Sequence, residues 1–267
     1  MVIEKKASLD DEFRENGFLS PNIHLIELNI RAEIGPTVSL LRSINNLMTK
    51  IVNQCANHSS AEHTLEPSVI GIASGLRTLG HLQGAITLFE RGMATEAKIL
   101  TRCIYENSFC IGALGADPVK FVEMLEKDNH AAKLGIAKIL DTKGVTELQS
   151  LKLSNILTSK TKGQSLNIKV AADLTDLKEA YLFYKYLSND SAHHSATSLS
   201  KHLVTENSEW SGFVYGPAET EDLNEVAFYC ANASLLFMIV FSELLKTEIF
   251  QEEIMELWQQ AQTITLA

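Results

Sequence analysis

The chain has 267 residues, 45% of them hydrophobic and 21% charged, which excludes a disordered protein and supplies enough apolar surface for the core of one large domain. Its 23 Lys and Arg against 33 Asp and Glu give a formal charge of −10. That excludes long-range attraction of the whole molecule to nucleic acid or anionic lipid, while a local basic pocket stays compatible with it.

From Met1 to Asp11 the sequence is charged where a signal peptide needs an apolar run, so a cytoplasmic location is expected. Ser20-Pro21 is a cap followed by a proline in the first turn, and a helix is expected from there toward Gly35-Pro36. A second helix covers Thr37 to Cys55, and the polar stretch from Ala56 to Glu66 reads as a loop. Ile72, Leu76, Leu79, Leu82, Ile86 and Phe89 then mark one apolar face of a helix over Ser68 to Arg91, broken by Gly92. A helix from Ala94 to Leu114 returns after this short turn, so the two form an antiparallel hairpin.

Asp117-Pro118 starts a further helix through Leu140. Lys143 to Asn167 is polar and weakly periodic, with room for a short helix over Thr146 to Leu157. A helix from Asp173 to Leu187 is followed by a helical stretch from Ser191 to Leu203, and Thr205 to Glu219 reads as a long loop. Helices from Thr220 to Phe250 and Gln251 to Gln262 close the chain. Periodicity near 3.6 dominates throughout, so the fold class is all-α, a single multi-helix bundle over residues 1–267.

The apolar run Val226 to Phe241 is shorter than the roughly 20 residues a membrane span needs and has acidic flanks at Glu225 and Glu243. It reads as a buried core helix, and no membrane partner is expected. Cys55, Cys103, Cys110 and Cys230 sit in apolar helical patterns, as reduced buried thiols do, and no zinc-type spacing is present.

Two polar islands interrupt the apolar pattern. Arg102 and Glu106 are spaced i, i+4 on one helix face, with Tyr105 beside them. They are either an internal salt bridge that sets helix register or a guanidinium fork for a phosphate or carboxylate, oriented by Glu106. The second island runs from Tyr184 to Ser195 and holds Tyr186, Ser188, Asn189, Asp190, His193 and His194. Ser188, Asn189 and Asp190 suit a helix junction. The adjacent histidines suggest more, because an imidazole beside a carboxylate and an arginine is the equipment for acid–base work on a phosphodiester. Two weaker pairs share helix faces: Glu126 with His130, which could join Asp190 and His194 around a metal, and Arg77 with His81, which reads as structural.

The run from Glu96 through Arg102 to Glu106, Gly115-Ala-Asp-Pro118, Gly163-Gln-Ser-Leu, Tyr181 through Ser188 and Ala192-His193-His194-Ser195 resembles a widespread, uncharacterised bacterial all-helical family. That family carries an Arg-x-x-x-Glu helix and a later Tyr-x-x-Leu-Ser…His-x-Ser segment, and the likeness covers residues 70–205 in matching order. The resemblance implies a domain of unknown function, often encoded near mobile elements and defence genes, with the N-terminal helices 20–55 and C-terminal helices 220–262 packing on it. Its motif positions correspond to Arg102, Glu106, Tyr186, Ser188 and His193; many members have proline where this chain has His194. The chain lacks the short Arg…His spacing of helical defence-associated ribonucleases.

Two functional expectations follow. One is a cytoplasmic protein acting on RNA or nucleotides, a metal-independent phosphodiesterase in bacterial stress or phage defence, with Arg102 holding phosphate, His193 moving protons, and Glu106, Tyr186 and Ser188 positioning them. The other is a non-enzymatic interaction module whose Arg, Glu, Tyr and His residues form a structural network, with a homodimer face or another protein as partner and the apolar helix contributing to such a face. Neither calls for a cofactor or a resident metal.

Overall fold

The computed structural model of the protein describes residues 13–57, 62–143, 154–157, 162–189, 196–214 and 216–264. Helix α1 spans Ile23–Asn57, α2 Pro67–Glu90, α3 Ala94–Ala116 and α4 Pro118–Thr142. Short helices α5 (Ser154–Leu157), α6 (Ile168–Asp173), α7 (Ala180–Leu187) and α8 (Ala196–Ser200) follow, then a hairpin of β1 (Leu203–Glu206) and β2 (Glu209–Phe213). Helices α9 (Thr220–Leu245) and α10 (Gln251–Ala261) complete the chain. The protein is thus mostly all-α, with packed helices and one two-stranded sheet.

The centre of the bundle is the pair α3 and α9, which pack on each other more extensively than any other two elements. Leu235, Phe237, Met238 and Phe241 of α9 are buried, as are Ile104, Phe109, Ile111 and Leu114 of α3. By length and composition α9 could cross a membrane. Here it lies in the core, where none of its residues from Leu223 to Ser242 is exposed. Helix α2 packs on α3 and α1, and both α1 and α2 lean on α9.

The turn between α2 and α3 depends on Gly92. Its φ of +79° is a left-handed conformation, and a Cβ there would stand 2.4 Å from Cβ of Pro217. Its carbonyl also accepts from the Ala218 amide at 2.8 Å, which ties the entry of α9 to the α2–α3 turn.

Three boundaries bear on the sequence expectation, each for a local reason. The break expected at Gly35-Pro36 is present as a kink between the two helical halves of α1, marked by Ile34 at φ −128° and ψ 36°. Buried Ile26, Ile30, Ile34 and Val38 keep i, i+4 spacing through it, so both halves lie on the same core face.

Of the helix expected over Asp173 to Leu187, only Ala180–Leu187 is helical, because α6 ends at Asp173. Thr175 Oγ1 donates to the Ala172 carbonyl at 2.8 Å and accepts from the Leu177 amide at 3.1 Å, a local exchange that ends α6. The loop expected over Thr205 to Glu219 contains the β-hairpin instead. Asn207 and Ser208 both have positive φ, 52° and 67°, the turn whose twist matches a two-stranded ribbon. Of the helix expected over Ser191 to Leu203, residues 196–203 are described: α8 ends at Ser200, and Leu203 already belongs to β1; most of Thr146 to Leu157 lies outside the described residues, which retain α5.

Candidate functional site: a polar seam along α3

Lys98, Arg102 and Glu106 follow one another at i, i+4 spacing and form a polar stripe on α3. Helix α7 and the N-terminal half of α9 face this stripe. Helix α7 contributes Tyr184 and Ser188, again i, i+4, so both present to Arg102; α9 contributes Glu225.

The guanidinium of Arg102 is shared among three partners. Nε donates to Ser188 Oγ at 2.8 Å, Nη2 donates to Tyr184 Oη at 3.0 Å, and Nη2 pairs with Glu106 Oε1 at 2.7 Å. The same guanidinium carbon lies 4.9 Å from the centre of the Tyr184 ring. Tyr184 Oη donates in turn to Glu106 Oε1 at 3.1 Å, and Ser188 Oγ to the Tyr184 carbonyl at 2.8 Å. Each hydroxyl therefore accepts from Arg102 and spends its own proton inside the protein. Burial, then the Glu106 carboxylate, pushes the Tyr184 hydroxyl above its ordinary pKa, which keeps that proton in place.

One turn toward the N-terminus of α3 a second cluster repeats the logic. The Lys98 side chain is 1% exposed, and its ammonium pairs with Glu225 Oε2 on α9. Glu225 Oε1 accepts from Tyr186 Oη at 2.7 Å. The seam thus holds two cations, Lys98 and Arg102, and two carboxylates, Glu106 and Glu225, in one-to-one pairs. Among the described residues it presents no excess positive charge. Arg102 and Glu106 retain 18% and 23% of their side-chain exposure, so the seam is half-buried rather than sealed.

Of the expected site residues, the structure brings Arg102, Glu106 and Ser188 into direct contact. Tyr186 belongs to the neighbouring Glu225 cluster, because two residues along a helix from Tyr184 it faces another direction. His193, with Asp190 and His194, lies outside the described residues. Sequence reasoning missed Tyr184, Lys98 and Glu225 as members. The signals were present: Lys98 extends the Arg102–Glu106 register backward by four, Tyr184 precedes Ser188 by four, and Glu225 is a carboxylate at the edge of an apolar run.

The remaining candidates have other places. Asn107 Nδ2 donates to Thr78 Oγ1 at 2.8 Å and lies 3.4 Å from His81 Nδ1, a polar link between α2 and α3. Burial and then Arg77 hold His81 below its ordinary pKa. Glu126 and His130 border a surface depression with Lys127 and Lys133, and among the described residues no three His, Cys, Asp or Glu side chains are grouped to hold a metal. All four cysteines are free thiols; burial pushes Cys110 up to about 12 and Cys230 up to about 11, as expected of structural rather than reactive sulfur.

Tyr105, beside Arg102 in sequence, turns into the core at 1% exposure, and its hydroxyl has no hydrogen-bond partner among the described residues. It packs against Phe183, with ring centres 6.2 Å apart. This contact adds an apolar clasp between α3 and α7 beside the polar one.

No curated protein and no solved structure matches the chain. Residues 71–209, just over half of the chain and the part that carries α2 through the start of β2, match DUF5677, described as a family of unknown function. The chain belongs to that family.

Proposed function

We propose that this protein is a non-enzymatic helical interaction module in which the α3 seam is a latch, and function resides on the surface the latch holds in place. The observation that carries this reading is the engagement of Arg102: its Nε and Nη2 are spent on Ser188, Tyr184 and Glu106, and its charge faces the Glu106 carboxylate within the same network. A group that must bind phosphate needs a donor fork facing the ligand and uncompensated charge. Here Lys98 and Arg102 already have Glu225 and Glu106, and the molecule as a whole carries −10. The held element is the excursion from α6 to the hairpin. Its exposed large side chains include Leu182 on α7 and Trp210 and Phe213 on β2, the kind of apolar surface that marks interaction sites.

One observation favours the alternative of a metal-independent phosphodiesterase acting on RNA or nucleotides in a bacterial cytoplasm, in stress or phage defence. Ser188 is bonded to Arg102, and His193 follows it by five residues, so the chain leaves the guanidinium just before its histidine pair. In that reading Arg102 holds phosphate, His193 transfers protons, and Glu106, Tyr186 and Ser188 position them.

The test is incubation of purified wild-type protein and His193→Ala with single-stranded RNA and with mono- and dinucleotides, without divalent metal. The interaction reading predicts no hydrolysis by either protein. Cleavage by the wild type that is lost in a normally folded His193→Ala variant would overturn it in favour of the enzyme.

A further inference from the structure

Surplus donors and a surplus positive charge are present where α2 ends against α1. Glu90 is the last residue of α2, at the carbonyl end of the helix, where a carboxylate is disfavoured unless cations approach it. Its side chain is only 9% exposed. Arg42 meets it with a two-pronged contact, Nε donating to Oε1 and Nη2 to Oε2, both at 2.6 Å, and this one arginine satisfies the carboxylate. Arg31, from the other side of the α1 kink, adds a single 3.4 Å contact from Nη2 to Oε2. Two guanidiniums therefore share one carboxylate, and the Arg31 and Arg42 side chains stay 46% and 53% exposed.

Neighbouring residues do not cancel that surplus. From Gly35 to Asn57 α1 contains no Asp or Glu, and Glu90 is the one carboxylate in α2. The carboxylates on the first half of α1 are engaged elsewhere: Glu27 faces Arg91 at 3.5 Å, and Glu33 accepts from Thr220 Oγ1 at 2.7 Å. Nη1 of Arg42, and Nε and Nη1 of Arg31, have no hydrogen-bond partner among the described residues. Leu28, 58% exposed, precedes Arg31 by three residues and so shares its helix face, with exposed Leu25 three residues further back.

We infer that this α1–α2 face docks an acidic segment of a partner protein, with a partner carboxylate between Arg31 and Arg42 and an apolar partner side chain on Leu28. Glu90 is then a positioning residue: by holding the Arg42 guanidinium in place it removes part of the ordering cost of binding. Planar donors beside exposed apolar surface are what protein interfaces are enriched in. One surplus charge on a molecule of −10 is too little for a nucleic acid, whose binding draws on several phosphate contacts. A glutamate or aspartate next to an apolar residue matches both halves of the face. The face lies on α1 and α2, outside the excursion held by the seam, so its occupancy is independent of what Arg102 does; hydrolysis of RNA would overturn the latch reading and leave this one standing.

The experiment is fluorescence anisotropy at low salt, titrating the full chain into a labelled peptide of glutamate and leucine, into the same peptide with glutamine for glutamate, and into a single-stranded RNA of similar length. The glutamate peptide is expected to bind with a Kd of about 10–100 µM, and the glutamine peptide and the RNA about tenfold more weakly or worse. Arg31→Gln is expected to weaken the glutamate peptide about tenfold, with an unchanged helical circular dichroism spectrum because its one internal contact is long and half-exposed. Leu28→Ser is expected to weaken it about threefold. Lys120→Gln, which removes the same charge from an exposed position on α4, is expected to change nothing. If Arg31→Gln loses its helical signal, Arg42→Gln/Glu90→Gln takes its place, since removing both partners leaves no buried charge, and the same loss of binding is expected. No binding of the glutamate peptide at about 1 mM overturns the inference. So do equal binding of the glutamine peptide, tighter binding of the RNA, an Arg31→Gln variant that binds like the wild type, or an equal loss in Lys120→Gln.

Discussion

Arg102 Nε donates to Ser188 Oγ at 2.8 Å, a bond between residues 86 apart in sequence that ties α3 to the C-terminal end of α7. Because Nη2 of the same guanidinium serves Tyr184 and Glu106, one planar side chain fixes three groups at once. Lysine is a point charge without that fork. Arg102→Lys is therefore expected to lose about 1–3 kcal/mol of stability in urea unfolding, close to the loss in Arg102→Ala. A lysine variant as stable as the wild type would contradict the fork geometry.

Lys98 and Glu225 form the more deeply buried pair, with the ammonium end at 1% side-chain exposure. Removing the carboxylate takes the Glu225 charge away from a buried ammonium. Glu225→Gln is expected to cost about 3 kcal/mol, whereas Lys98→Met combined with Glu225→Gln recovers most of that loss, since replacing both charges removes the desolvation penalty along with the attraction. Chemical denaturation of the two single variants and the double variant measures this; a double variant less stable than either single one would refute it.

His81 gives the protein a pH dependence of known sign. Burial, with Arg77 nearby, holds its imidazole below the ordinary 6.5, so as pH falls the unfolded chain takes up this proton before the folded one. Its contribution is therefore fully favourable above pH 6.5 and is lost as pH falls toward the lowered folded value. The local slope is at most about 1.4 kcal/mol per pH unit. NMR titration should show the His81 ring titrating below 6.5, and His81→Gln should flatten stability against pH on the acid side. A His81 signal titrating above 6.5 would reverse the sign.

Gly75 is a point where α2 packs closely on α9. A Cβ there would stand 2.8 Å from the Phe241 ring, and Phe241 is fully buried. Gly75→Ala adds one methyl group where the ring cannot yield, and a loss of about 1–3 kcal/mol is expected despite alanine's better helix propensity. Thermal unfolding reads this directly, and an unchanged or raised melting temperature would show that the contact relaxes.

The helices were legible in the sequence where periodicity and punctuation agree. Gly92 ended α2, Pro118 opened α4, and the apolar stripe of α9 marked a core helix. What was not legible depends on side chains meeting across space or on turn chemistry. Val204-Thr205-Glu206-Asn207-Ser208 carried a hairpin signal, since Asn tolerates a left-handed turn after β-branched residues, but polarity and nearby glycines outweighed it.

In the site, Arg102 and Glu106 were readable because a helix fixes their spacing, and Ser188 because it ends one. Choosing Tyr184 over Tyr186 as the partner of Arg102 requires the rotation of α7, which begins only at Ala180. No spacing rule over residues 173–187 encodes that rotation.

The latch itself is tested most directly by a double-mutant cycle between Arg102→Met and Ser188→Ala, measured as urea-unfolding free energies. Residues that act through a shared bond couple, and the expected interaction energy is about 1 kcal/mol, with the fold retained in all four proteins. Additive losses, with coupling below about 0.3 kcal/mol, would mean that Arg102 does not hold α7 through Ser188, and the seam would cease to be a latch.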